Sequence, residues 1–68
     1  MEKVKISTEF IKLDSFLKWV SVVSSGADAK IFIFEGKVKV NDEVEVRRGK
    51  KLKPGDKIEV DNKLFYIE

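Results

Sequence analysis

The hydrophobic pattern of this chain changes its period at Gly36, and this change restricts the folds that the chain can adopt. Before Gly36, apolar residues recur at spacings of three and four, as on one face of a helix. After Gly36, apolar and charged residues alternate, as in strands with one buried face. The pattern therefore predicts two helices followed by short strands, all closing over one core.

The first helix is predicted from four apolar residues that share one face. Their spacing follows the i, i+3, i+4, i+7 rule over about Leu13–Ser21, and they are Leu13, Phe16, Leu17 and Val20. Ahead of this helix, Glu2–Ser7 alternates polar and apolar residues, which predicts a short strand at a sheet edge.

The second helix is predicted over about Ala27–Glu35, with Ala29, Phe32 and Ile33 facing inward. Ser25 and Asp28 have the spacing of a capping box, so each side chain is expected to bond the other's backbone N–H. Gly36 stands where a left-handed residue commonly ends a helix.

Two hairpins are predicted after the helices. Lys37–Val40 and Val44–Arg47 alternate around Asn41-Asp42-Glu43, and a three-residue loop would place Val40 opposite Val44. A two-residue loop would instead place Val40 opposite Glu43, which suits a buried face less well. After a Pro-Gly turn at 53–56, strands over 57–60 and 63–67 flank a second loop. The predicted order is β-α-α-β-β-β-β.

Composition excludes most kinds of active site. The chain has no Cys and no His, so it cannot form a Ser-His or Cys-His pair or a thiolate metal site. It carries no glycine-rich phosphate-binding motif, and Asp14, Asp28 and Glu35 are explained by capping and by surface charge. We therefore predict one domain over residues 1–68 that is not an enzyme and takes no cofactor or metal. No apolar run approaches the ~20 residues that span a bilayer, so a cytoplasmic protein is expected.

Positive charge is concentrated between Arg47 and Lys53. Five basic residues fall there with no acid among them, although the whole chain carries 14 basic and 12 acidic residues. Such clusters attract polyanions, and phosphate backbones are the commonest partner. A solubilising surface explains the same residues, and composition alone leaves both interpretations open. The seven aromatic residues are expected mainly in the core, with Trp19, Phe34 and Tyr66 partly on the surface.

Four segments in order resemble the S-four (S4) RNA-binding domain, the αL motif named after the fourth protein of the small ribosomal subunit. They are KLDSFLK at 12–18, SSGADAK at 24–30, GKVKVN at 36–41 and KPGDKI at 53–58. The resemblance covers about residues 12–60 and is greatest to small stand-alone bacterial members. It implies an α+β fold in which a helix-loop-helix packs on a small antiparallel sheet.

The resemblance also implies a non-enzymatic, ribosome-associated monomer that contacts structured RNA, with ribosomal RNA as one candidate. Carried over to this chain, the RNA-binding positions are Lys12, Asp14, Ser24, Ser25, Gly26, Lys30, Lys39, Asn41, Arg47, Arg48, Lys50 and Lys51. The family often has Arg just before and inside the inter-helix loop, where this chain has Ser24 and Gly26. The basic run is therefore expected to supply charge from the strand side.

A second hypothesis is a protein-interaction module that docks on a ribosomal or other partner. Exposed apolar residues would supply its surface, and Trp19, Ile31 and Phe34 are the candidates.

Overall fold

The computed structural model describes all 68 residues, Met1–Glu68. It confirms the α+β fold and the predicted order of elements, and it adds two short strands that the pattern did not indicate. The elements are β1 Glu2–Val4, β2 Ile11–Lys12, α1 Leu13–Trp19, α2 Gly26–Phe34, β3 Val38–Val40, β4 Glu43–Val44, β5 Lys51–Leu52, β6 Lys57–Val60 and β7 Lys63–Ile67. Neither helix has the length and apolar character that crossing a membrane requires.

Five of the strands form one mixed sheet in the order β1-β7-β6-β3-β4. The β3–β6, β6–β7 and β3–β4 pairs are antiparallel, whereas β1 runs parallel to β7. β1 lies at the sheet edge as predicted, but it ends at Val4, where its pairing with Ile67 ends. β2 and β5 form a separate two-stranded antiparallel ribbon.

The core lies between the helices and one face of the sheet. Twelve buried residues from both layers form one cluster: Val4, Leu13, Phe16, Leu17, Ile33, Val38, Val40, Leu52, Ile58, Val60, Phe65 and Ile67. The rings of Phe16 and Phe65 meet edge to face at 5.5 Å between centroids, a favoured aromatic geometry. The predicted inward stripes are confirmed at Leu13, Phe16, Leu17, Ala29 and Ile33, while Phe32 is only partly buried.

The start of α2 confirms half of the predicted capping box. The Ser25 hydroxyl accepts a hydrogen bond from the backbone N–H of Asp28 at 3.1 Å. The Asp28 carboxylate accepts its bond from the Ser24 hydroxyl at 2.9 Å rather than from the Ser25 backbone. Aspartate is one methylene shorter than the glutamate of a full capping box, so a neighbouring hydroxyl is the easier partner. Gly36 follows the helix at φ +77°, as predicted.

The predicted three-residue loop between β3 and β4 is wrong. Val40 pairs with Glu43, and Lys39 pairs with Val44, so the loop contains only Asn41 and Asp42. Both loop residues have positive φ, at 52° and 72°, which is the type I′ geometry that matches strand twist. The prediction assumed a buried Val44, but this edge strand leaves Val44 55% exposed.

The Pro-Gly turn before β6 is confirmed. The backbone N–H of Asp56 donates to the carbonyl oxygen of Lys53 at 3.0 Å, and Gly55 has φ +99°. That positive φ is the type II requirement that glycine meets without strain. The second hairpin is confirmed as well, because Val60 pairs with Lys63 across a two-residue loop.

Candidate nucleic-acid interface

The basic loop, Arg47–Lys51, is joined to the start of α1 by backbone hydrogen bonds. The N–H of Leu13 donates to the carbonyl oxygen of Lys50 at 2.8 Å, and the N–H of Asp14 donates to that of Arg48 at 3.0 Å. No side chain caps this helix at its N-cap residue, Lys12. The first N–H groups of a helix have no partner within the helix, so the basic loop supplies partners that a cap would otherwise provide.

The β2–β5 ribbon fixes the same loop from its other end. Ile11 pairs with Leu52, and Lys12 pairs with Lys51. Leu52 is fully buried in the core cluster, and Ile11 packs against that cluster. The basic loop is therefore held both by hydrogen bonds to α1 and by the burial of the strand that follows it.

Both arginines of the basic loop are paired with acids that lie outside the basic run. Arg47 makes two side-chain hydrogen bonds to Glu45, at 3.0 and 3.2 Å, and its backbone N–H donates a third. The bonds from Arg47 hold the pKa of Glu45 below its ordinary value of 4.5, and they raise the pKa of Arg47. The Nε atom of Arg48 lies 3.5 Å from a carboxylate oxygen of Asp14.

These pairs correct the expectation drawn from the run itself. No acid lies between Arg47 and Lys53 in sequence, but Glu45 and Asp14 bring two carboxylates to the arginines in space. Asp14 also accepts a bond from the backbone N–H of Ser15 at 2.7 Å. Its carboxylate thus connects the first turn of α1 to the side chain of Arg48.

The lysines of this region remain without carboxylate partners. None of the four ion pairs in the structure involves Lys12, Lys50, Lys51 or Lys53. An open depression of about 630 Å³ lies beside these lysines, and no apolar residue lines it. Its lining residues are Arg47, Gly49, Lys50, Lys51, Lys53 and Asp56. The carboxylate of Asp56 is occupied, since it accepts bonds from the Lys53 backbone at 2.8 Å and the Asn41 amide at 3.1 Å. The unpaired charge in this depression is therefore positive.

Six of the predicted positions come together at this place. They are Lys12, Asp14, Arg47, Arg48, Lys50 and Lys51. Asn41 borders an adjoining depression with Arg47 and Lys50, but its amide is occupied. It donates to Asp56, and its oxygen accepts a bond from the Lys57 backbone at 2.9 Å. Asn41 thus fastens the β3–β4 turn to β6.

The other predicted positions lie on different elements. Ser24, Ser25 and Gly26 form the start of α2, and open space surrounds the position of a Cβ atom on Gly26. Lys30 is exposed on α2. Lys39 is exposed between two buried valines of β3, so it lies on the sheet face away from the helices, in register with Glu59.

Phe10 and Glu45 lie at the site but were not predicted there, and Lys53 was predicted only as a member of the basic run and as the first residue of the Pro-Gly turn. The structure shows that Lys53 also lines the depression. Glu45 falls within the strand predicted over Val44–Arg47, but the observed β4 ends at Val44. The ring of Phe10 lies 4.9 Å from the ammonium of Lys51, a contact that depends on the unpredicted β2–β5 pairing. A two-residue strand is too short to produce an alternating pattern, so no sequence signal could have placed Phe10.

Two comparisons with known proteins bear on this site. The family model of the S4 domain matches residues 4–68. A probable ribosome maturation protein, RlbA of Bacillus subtilis (strain 168), is 48% identical over 58 residues. That alignment covers 85% of this chain and 82% of the relative. Both matches include the start of α1 and the basic loop in their extent.

Proposed function

Because the chain belongs to the S4 domain family, we propose that it binds structured RNA and catalyses no reaction. The main part of the contact surface is formed by the start of α1 and the basic loop. Since phosphate contacts position a protein on RNA and duplex RNA is recognised largely by shape, backbone geometry determines binding more than base sequence does.

One observation carries this proposal: the two backbone bonds from Leu13 and Asp14 to the basic loop. Flexible cations lose conformational freedom when they bind a polyanion, and this loss reduces affinity. A loop whose backbone is already held by a helix and a ribbon loses less conformational freedom on binding. The cations of residues 12 and 47–51 thus form one preorganised surface rather than a mobile basic tail.

The pairing of charges divides the roles of the site residues. Lys12, Lys50 and Lys51 have no carboxylate partner and supply the direct phosphate contacts. Arg47 and Arg48 each have further N–H groups for a phosphate, since guanidinium offers five donors. Asp14 acts by positioning Arg48 and the first turn of α1.

The start of α2 supplies a second, less charged wall. Ser24, Ser25 and Gly26 form it, with Lys30 further along the helix. Backbone N–H groups at a helix start favour anions, and the open space at Gly26 permits close approach. Two predicted residues contribute less to the contact surface. The side chain of Lys39 faces away from the helices, and the side-chain amide of Asn41 is already hydrogen-bonded to Asp56.

The name of the relative supports a proposal about the class of RNA. A probable ribosome maturation protein that is 48% identical suggests a ribosomal partner for this chain as well. We infer that the protein acts in the cytoplasm, on ribosomal RNA or on a ribosomal precursor.

Salt dependence of RNA binding tests the proposal. Each neutralised phosphate releases counterions, so about four contacts give a slope of log K against log salt near −3. A labelled RNA hairpin is titrated with the wild type and with a variant in which Arg47, Arg48, Lys50 and Lys51 are all Ala. We expect the variant to bind more weakly with a much flatter slope.

A charge-matched control removes Lys3, Lys5, Lys18 and Lys63, which lie outside the site. This control should keep the slope of the wild type. Equal, weak affinity of the wild type and the site variant would refute the proposal.

A second candidate function is protein docking, which the exposure of three apolar residues favours. Trp19 is 54% exposed, Ile31 58% and Phe34 77%. Ile31 and Phe34 are three residues apart on α2 and share a face, whereas Trp19 lies at the end of α1 beside β1. A partner that remains bound after nuclease treatment and at high salt, and that is lost in Phe34→Ala, would favour this function.

A further inference from the structure

The outer face of the β2–β5 ribbon carries an aromatic ring among lysines. Ile11 and Leu52 point to the core, and their neighbours therefore point outward, since side chains alternate along a strand. Lys12 and Lys51 lie directly opposite each other on this outer face. The ring of Phe10 is on the same face, 4.9 Å from the ammonium of Lys51.

Like charges directly opposite on paired strands destabilise the pairing. Lys12 and Lys51 are such a pair, and neither makes an ion pair with a carboxylate. An anion bound between the two ammonium groups would remove this repulsion. A phosphate group has the charge and the acceptor oxygens to bond both lysines at once.

Phe10 contributes little to the core. It is 37% exposed, and it is not among the residues that pack against the core cluster. Its ring is instead covered by the ammonium of Lys51. A cation over an exposed ring is held weakly, so Lys51 can leave the ring for a phosphate and uncover a surface on which a base can stack.

We infer that this outer face is a binding subsite for one unpaired nucleotide of the RNA. The base stacks on Phe10, and its phosphate lies between Lys12 and Lys51. The inference rests on the proposed function and adds to it, because it states that the RNA has an unpaired nucleotide beside its structured part. An acidic peptide would satisfy the lysines but would leave the ring without a partner, so the combination favours a nucleotide. Phenylalanine has no hydrogen-bonding group, so stacking here tolerates any base.

The test compares a blunt RNA hairpin with the same hairpin carrying a short unpaired tail that contains 2-aminopurine. Stacking quenches this base, so its fluorescence reports contact with Phe10. Loss of one stacked base corresponds to a roughly 5- to 150-fold loss of affinity. We expect Phe10→Ala to reduce the affinity for the tailed hairpin by about this factor and to change the affinity for the blunt hairpin little. The substitution should also abolish the quenching of 2-aminopurine.

Two variants serve as controls. Phe10→Tyr keeps a ring and should restore both affinity and quenching. Phe34→Ala removes a more exposed ring that lies on α2, and it should behave as the wild type.

The outcomes separate this inference from the proposed function. Steep salt dependence on both hairpins, with no tail preference and no effect of Phe10→Ala, would overturn the nucleotide subsite alone. Weak, salt-insensitive binding of both hairpins would overturn the proposed function. Release of the tail by an oligoglutamate peptide, equally from the wild type and from Phe10→Ala, would also overturn the subsite and indicate an acidic protein partner.

Discussion

The two helices of this protein begin in different ways. α2 begins with its own sequence: Ser25 caps it, and Ser24 bonds Asp28 within the same turn. α1 has no side-chain cap, and its first N–H groups bond carbonyl oxygens of Arg48 and Lys50, more than thirty residues away. The start of α2 is thus a local structure, whereas the start of α1 forms only together with the basic loop.

This difference has a consequence for function. The charged residues of the basic loop are ordered by the same contacts that complete α1 and bury Leu52. A change that loosens the ribbon should therefore disturb both the helix start and the proposed RNA surface. A change at the start of α2 should leave the basic loop in place.

The largest effect is expected from Leu52→Ala. Leu52 is fully buried, and a buried Leu→Ala substitution costs about 2–5 kcal/mol. A domain of this size has only about 3–5 kcal/mol of net stability, so the variant should be largely unfolded or close to it. Urea denaturation followed by Trp19 fluorescence measures the loss.

Ile31→Ala, at a position 58% exposed, is the matched control and should lose far less. Where Leu52→Ala remains folded, the amides of Leu13 and Asp14 should exchange their hydrogens faster than those of α2. A change in stability below about 1 kcal/mol would contradict the role of buried Leu52 in the core. Amides of Leu13 and Asp14 that exchange no faster than those of α2 would show that the ribbon does not support the start of α1.

A smaller effect is expected from Ser25→Ala. The substitution leaves the N–H of Asp28 without its cap and costs about 1 kcal/mol. The protection of the Leu13 amide should stay close to the wild type, since the basic loop does not depend on this cap. RNA affinity should fall far less than in the variant that removes the four cations of the basic loop, because the start of α2 is the less charged part of the surface. Ser7→Ala is the control, because Ser7 is exposed and lies outside the site. Thermal unfolding of both variants, with one RNA titration each, tests whether the two helix starts are independent.

The smallest effect concerns pH and Glu45. The pKa of Glu45 is lower in the folded protein than its ordinary value of 4.5, so the unfolded chain binds its proton first. The Glu45–Arg47 pair therefore stabilises the fold above pH 4.5, and this contribution is lost as the pH falls through the lowered pKa. Glu45→Gln should lower the melting temperature slightly at neutral pH, and the difference should vanish in acid. A difference that persists in acid would assign the effect to packing.

Local signals in the sequence account for most of the fold. The apolar stripe of α1, the cap of α2, Gly36 and the Pro-Gly turn each have a residue-level cause that acts within a few positions. The predicted length of the β3–β4 loop was wrong because the alternation of Val44 and Val46 suggested that both residues were buried. At a sheet edge, the left-handed tolerance of Asn41 and Asp42 determined the register instead.

The candidate site was less predictable because its contacts are long-range. The basic run is visible in the sequence, but the hydrogen bonds that join it to α1 are made by backbone atoms that any residue possesses. The acids that pair with Arg47 and Arg48 come from just before the run and from the first helix. The place of Phe10 likewise depends on a ribbon of two residues per strand.

Chemical-shift mapping of the 15N-labelled protein with an RNA hairpin tests the central claim most directly. If the basic loop and the start of α1 form one RNA surface, the amides of Leu13, Asp14, Arg48, Lys50 and Lys51 should shift together at one binding constant. This constant should fall steeply as salt rises. Shifts confined to Ile31 and Phe34, or shifts of the basic loop that leave Leu13 and Asp14 unchanged, would contradict the account.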